Sequence, residues 1–129
     1  MAAKFLNKRP KHLNLLKITQ PLPAIVSIMH RISGVLLFFP GIPVTLFCLQ
    51  MMLGSPESFE ALQATLQSPG MKVMLLFFAW FCLHHLCAGI RYLALDMHYG
   101  IALEQARTTS KWVLVISILL TLSMGVILW

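Results

Sequence analysis

The chain has 129 residues, 58% of them hydrophobic and only 11% charged, with a mean hydropathy of +0.80. Soluble domains carry about a quarter charged residues and disordered chains are poor in apolar ones, so both classes are excluded. The formal net charge of +6 accompanies three long apolar blocks, where a basic excess sets membrane orientation and implies no nucleic acid.

The N-terminal segment, residues 1–23, is basic. It carries Lys4, Lys8, Arg9, Lys11 and Lys17 and no acid. It shows neither a cleavable signal, with a short apolar core and small-residue cleavage site, nor an Arg- and Ser-rich transit peptide. A bacterial membrane protein is expected. The remainder, residues 24–129, reads as one three-helix transmembrane domain.

The first span is predicted over 24–53. Ile32 to Pro56 holds no Asp, Glu, Lys or Arg. Pro21 and Pro23 suit a helix entrance. Pro40, Gly41 and Pro43 predict a kink. At its start Ser27, His30, Arg31 and Gly34 are spaced i, i+3, i+4 and i+7, which places them on one helical face. That face offers a hydroxyl, an imidazole, a guanidinium and a gap for a close neighbour. Taken singly, Arg31 reads equally well as an arginine snorkelling to lipid headgroups.

The next loop, Gly54 to Gly70, holds Glu57 and Glu60 and no base. Ser55 is placed to cap a short helix with Pro56 in its first position and Glu57 in its first turn. Phe59, Leu62 and Leu66 then share a face, as in a helix lying on the membrane.

The second span is predicted over 71–95, and Val73 to Ile90 is free of charge. His85, Gly89, Tyr92 and Asp96 form one stripe, with His84 and Arg91 on its neighbour. A histidine there either bonds another helix or serves as an axial ligand to haem iron. The third span is predicted over 111–129. Arg91, Arg107 and Lys111 bound the connection before it, so positive charge flanks the N-terminal tail and that connection. The positive-inside rule puts the N-terminus in the cytoplasm. Cys48, Cys82 and Cys87 lie within spans without CxxC spacing and are expected as buried thiols.

Orientation brings the two polar clusters together. The first span runs outward and the second returns, so Arg31 and the His85–Arg91 segment share the cytoplasmic side. His85 lies about 9 Å deeper than Arg91. A haem on His85 has its propionates near that surface, within reach of His30, Arg31 or Arg91, because cationic donors suit carboxylates. Adjacent residues on one helix cannot flank an iron, so His84 is not the opposite ligand. Ser27 and Arg31 offer a donor and a positive charge to a quinone. Other functions fit less well. A transporter lacks an inverted repeat or a discontinuous helix pair. A zinc hydrolase lacks HExxH. The chain has no nucleophile or acid–base pair of its own, so it reads as non-catalytic alone. A purely structural anchor without haem accounts for the spans but leaves both polar stripes idle.

Two motifs add a family resemblance. Arg9-Pro10 followed by Ser27-Ile28-Met29-His30-Arg31-Ile32-Ser33-Gly34 matches RP…SxxHRxSG. His85-Leu86-Cys87-Ala88-Gly89-Ile90-Arg91, then Asp96, matches HxxxGxR…D. In this order and spacing the chain resembles the cytochrome b anchor subunits of bacterial succinate dehydrogenase over nearly its whole length. The resemblance implies an all-α membrane protein of three transmembrane helices, half of a heterodimeric haem-binding anchor. The other half is a second, three-helix anchor subunit. Haem b is shared between the two, and His85 maps to its axial ligand and iron-binding residue. His30 and Arg31 map near a haem propionate, and Ser27 and Arg31 to the ubiquinone pocket. The flavoprotein and iron–sulfur subunits dock on the cytoplasmic side of the inner membrane, with the basic tail against the latter. Electrons from succinate then reach ubiquinone, linking the tricarboxylic acid cycle to the respiratory chain. The family often has histidine where this chain has Tyr92, which can donate a hydrogen bond but cannot carry an imidazolium charge.

Overall fold

The computed structural model describes residues 18–129. The basic positions 4–17 and the Arg9-Pro10 motif lie outside the described residues. Helix α1 (Leu22–Leu36) passes through a π-helical turn (Leu37–Gly41) into α2 (Ile42–Gly54), and α3 (Pro56–Gln67), α4 (Pro69–Asp96) and α5 (Leu103–Leu128) follow. Three stretches are long and apolar enough to cross a bilayer: Leu22–Gly54, Pro69–Asp96 and Leu103–Leu128. The protein is an all-α, multi-pass membrane protein.

Local sequence sets the helix boundaries. Pro21 is the N-cap of α1, and its carbonyl accepts from Ala24 N–H at 2.9 Å. Pro40 lies inside the π turn. Proline has no N–H to donate and its ring crowds the carbonyl four residues earlier, and the wider turn absorbs both defects. The proline–glycine cluster thus produces a π turn within one continuous span. Helix α5 begins eight residues before the predicted 111. Charge-free runs mark only the part of a helix that lipid surrounds, and its charged first turns, with Glu104 suited to the N-terminal dipole, lie ahead of that part.

Ser55 caps α3 in a capping box. Its side chain accepts from Ser58 N–H at 3.2 Å, and the Ser58 hydroxyl accepts from Ser55 N–H at 3.0 Å. Leu62 is buried beneath this helix, Leu66 is half-buried and Phe59 stays exposed. The short turn between α4 and α5 uses positive φ at His98 (65°) and Gly100 (75°). At the other end of the pair Lys72 Nζ lies 5.4 Å from the Trp129 ring, so α4 and α5 run antiparallel.

The packing is inverted relative to a soluble protein. Among the described residues the buried hydrophobic side chains are Val26, Leu62, Ala88 and Val113, while Ser33, His84, Arg91, Ser110 and Ser117 are buried as well. Large apolar side chains such as Phe38, Phe47, Phe77 and Ile127 face outward. Small residues let α1, α4 and α5 approach one another, and polar side chains join them, as expected where lipid removes the hydrophobic drive between helices. The three cysteines are free but half-buried, not fully buried as expected. In a three-helix bundle most of each helix circumference faces outward; Cys87 packs against the Val26–Ala88–Val113 cluster without being enclosed by it.

Candidate functional site

The site is built where α1 and α4 cross. The His85 ring reaches from α4 onto α1 and stacks on the His30 ring, with centroids 4.1 Å apart and planes 13° from parallel. Its Nδ1 lies 3.1 Å from the His30 carbonyl oxygen and 3.0 Å from Ser33 Oγ. A carbonyl only accepts, so in the neutral ring Nδ1 carries the hydrogen and Nε2 keeps its lone pair. Gly34 makes the approach possible: a Cβ there would stand 3.0 Å from His85 Cε1. Gly89 faces the His30 ring more loosely: an added Cβ would lie 3.7 Å from His30 Nε2, an ordinary contact. The Tyr92 ring, one further turn along the stripe, tilts against His30 at 5.2 Å.

The neighbouring stripe of α4 has a different role. His84, Ala88 and Arg91 are buried, and Ala88 packs between Val26 of α1 and Val113 of α5. His84 is 1% exposed, and neither of its ring nitrogens has a partner among the described residues. Arg91 is turned away from the propionate role considered for it. Its Nε donates to Thr109 Oγ1 at 3.1 Å and its Nη2 to the Ala106 carbonyl at 3.3 Å, both on α5. A buried guanidinium needs acceptors, and the start of α5 supplies them. Asp96 closes α4 and is exposed, so His85, Arg91 and Asp96 form no connected relay.

Ser27 is half-buried and Arg31 exposed on the outer side of α1. Arg31 directly follows the residue whose ring stacks on His85, so the guanidinium and the imidazole belong to the same end of the bundle. The Tyr92 hydroxyl is buried without a partner among the described residues. A groove of about 690 Å³ between α4 and α5, lined by Leu76, Trp80, Leu122 and Trp129, lies toward the other end and brings no charged group together.

Two participants were not singled out from the sequence: the Ser33 hydroxyl and the His30 backbone carbonyl. The first motif contains Ser33, but a serine three residues from His30 reads as an ordinary helix hydroxyl bonded to its own backbone. A backbone acceptor leaves no signal in residue type.

The donor set fits haem iron. An imidazole held by its Nδ1–H to a fixed acceptor, with Nε2 unengaged among the described residues, is the usual presentation of a metal-binding histidine. Among the described residues the chain offers no second imidazole opposed to it, since His30 lies parallel against its face.

Fold and site together define a three-helix membrane anchor of the cytochrome b type. The profile of the succinate dehydrogenase/fumarate reductase transmembrane subunit family matches residues 6–124, and the chain belongs to that family. Similar proteins include the succinate dehydrogenase cytochrome b556 subunit of Coxiella burnetii, 37% identical over 95% of this chain and 98% of that one. The protein of the same name from Rickettsia felis is 34% identical over 93% of each chain. That of Paracoccus denitrificans is 34% identical over 84% of this chain and 82% of its own.

Proposed function

We propose that this chain is the haem-binding anchor subunit of a succinate dehydrogenase, with His85 as an axial ligand of haem b and Ser27 and Arg31 in a ubiquinone-reduction site. One observation carries the reading: His85 is fastened through Nδ1 to α1, which leaves Nε2 available to iron. The names of the similar proteins agree with it. When bound, haem b supplies a one-electron store beside the quinone.

The chain's own residues have separable tasks. His85 holds the iron on one side, and a second anchor subunit provides the opposite ligand. His30 and Arg31, consecutive on α1, bind propionate carboxylates as cationic or N–H donors. Ser27, one turn before Arg31, donates to a quinone carbonyl, and the Arg31 charge favours the reduced, more negative ring. Flavoprotein and iron–sulfur subunits dock on the cytoplasmic face of the bacterial inner membrane. The N-terminus lies on that face, and electrons from succinate pass there to quinone.

Purified complex should show a b-type reduced-minus-oxidised spectrum that His85→Ala weakens or abolishes. Arg31→Ala should cut succinate:quinone activity at least tenfold while succinate oxidation by a soluble artificial acceptor continues. Unchanged haem content in the first variant would remove His85 as ligand. Equal loss of both activities in the second would reduce Arg31 to an assembly role. A fully assembled, colourless wild-type complex would leave only a structural anchor.

A further inference from the structure

We propose that Ser33 is a positioning residue for the haem ligand. Its hydroxyl fixes the tautomer and electron-donating strength of the His85 ring. The inference rests on the haem reading above and extends it to a residue with no contact to iron.

Ser33 is fully buried. Its Oγ lies 2.8 Å from the His30 carbonyl and 3.0 Å from His85 Nδ1. Ser110 and Ser117 are equally buried, but they bond only within their own helix, to the Ala106 carbonyl at 2.7 Å and the Leu114 carbonyl at 3.1 Å. Among the described residues Ser33 is the buried serine that also reaches a ring on another helix.

Counting protons settles the arrangement. Three atoms meet here: the His30 carbonyl oxygen, Ser33 Oγ and His85 Nδ1. The carbonyl brings no proton and Ser33 brings one. If Ser33 donated to a bare Nδ1, that nitrogen's lone pair would face the carbonyl oxygen at 3.1 Å. If Ser33 donates to the carbonyl, its own oxygen can accept from Nδ1–H, which is then shared between two acceptors. Only the second arrangement leaves no pair of lone pairs opposed. It fixes the tautomer with Nε2 bare. Two acceptors on one N–H also push electron density into the ring, which makes Nε2 a better donor to ferric iron.

The test uses the whole purified complex. Ser33→Ala removes one acceptor and leaves the His30 carbonyl in place. The haem midpoint potential should rise, because the oxidised iron loses more than the reduced, and haem should bind about tenfold more weakly. Ser33→Cys leaves no void and weakens the acceptor, so it should shift the potential the same way and serves if the alanine variant does not assemble. Ser117→Ala deletes the same atom from a buried serine that does not touch His85, and its potential should match the parent's. A Ser33 variant that assembles with the parent potential overturns the proposal, as does an equal shift in Ser117→Ala. His85→Ala separates the two readings. If it removes the haem while Ser33→Ala leaves the potential alone, Ser33 loses its role and the ligand assignment stands. If His85→Ala keeps the haem, both fall.

Discussion

Gly34 and Gly89 both line the crossing of α1 and α4, yet they differ in how a side chain would fit. At Gly34 an added methyl would meet His85 Cε1 at 3.0 Å, tighter than ordinary contact, and the ring is already fixed between the His30 stack and its Nδ1 bonds. At Gly89 the nearest atom, His30 Nε2, is 3.7 Å away, an ordinary van der Waals distance. Gly34→Ala must therefore displace the imidazole by a few tenths of an ångström, whereas Gly89→Ala need move nothing within this chain. Haem content of the purified complex, measured as its pyridine haemochrome, should fall about tenfold in Gly34→Ala, the scale on which disturbing a ligand's supports acts. It should stay near the parent's in Gly89→Ala. Equal losses would show that close helix approach, not the seat of the ring, is what these glycines provide.

At the scale of the element, α4 divides its work between two faces. His85, Gly89 and Tyr92 meet α1 and form the candidate site, while Ala88 packs between Val26 and Val113 and Arg91 bonds to α5, which holds the bundle. Helical spacing made both stripes legible in the sequence, because i, i+4 and i+7 share a face whatever the tertiary structure. Their separate duties were not legible: the acceptors for Arg91 are a hydroxyl at Thr109 and a carbonyl at Ala106, and neither forms a pattern with an arginine fifteen to eighteen residues away. The start of α5 was missed for a related reason, since hydropathy reports lipid contact and α5 extends beyond it. Charge-assisted hydrogen bonds contribute about 1.5–3 kcal/mol each, with less expected where alternative partners exist in a membrane. Arg91→Ala should lower the thermal midpoint of the assembled complex by an amount equivalent to about 2 kcal/mol and leave the wavelength of the haem band unchanged. A shifted band with unchanged stability would instead place Arg91 in the haem environment.

The whole chain is a bundle that exposes its greasiest residues and buries serines, a histidine and an arginine. That is stable only where the surroundings are apolar. Three crossings put the start of α1 and the α4–α5 turn on one side, and α3 and Trp129 on the other. Charge then distinguishes the sides. Glu57 and Glu60 lie on α3, whereas Arg107 and Lys111 follow the α4–α5 turn; Lys72, the cation at the α3 end, is drawn over the Trp129 ring. Basic residues resist translocation more than acidic ones do, so the α4–α5 turn should face the cytoplasm. Single cysteines at Glu57 and His98, both exposed, in a chain with Cys48, Cys82 and Cys87 replaced, would report this directly. In intact spheroplasts a membrane-impermeant maleimide should label Glu57→Cys, and His98→Cys should react only after lysis. The reverse pattern would turn the bundle over and move the Arg31–His85 end away from the cytoplasm, where a soluble dehydrogenase could no longer reach it.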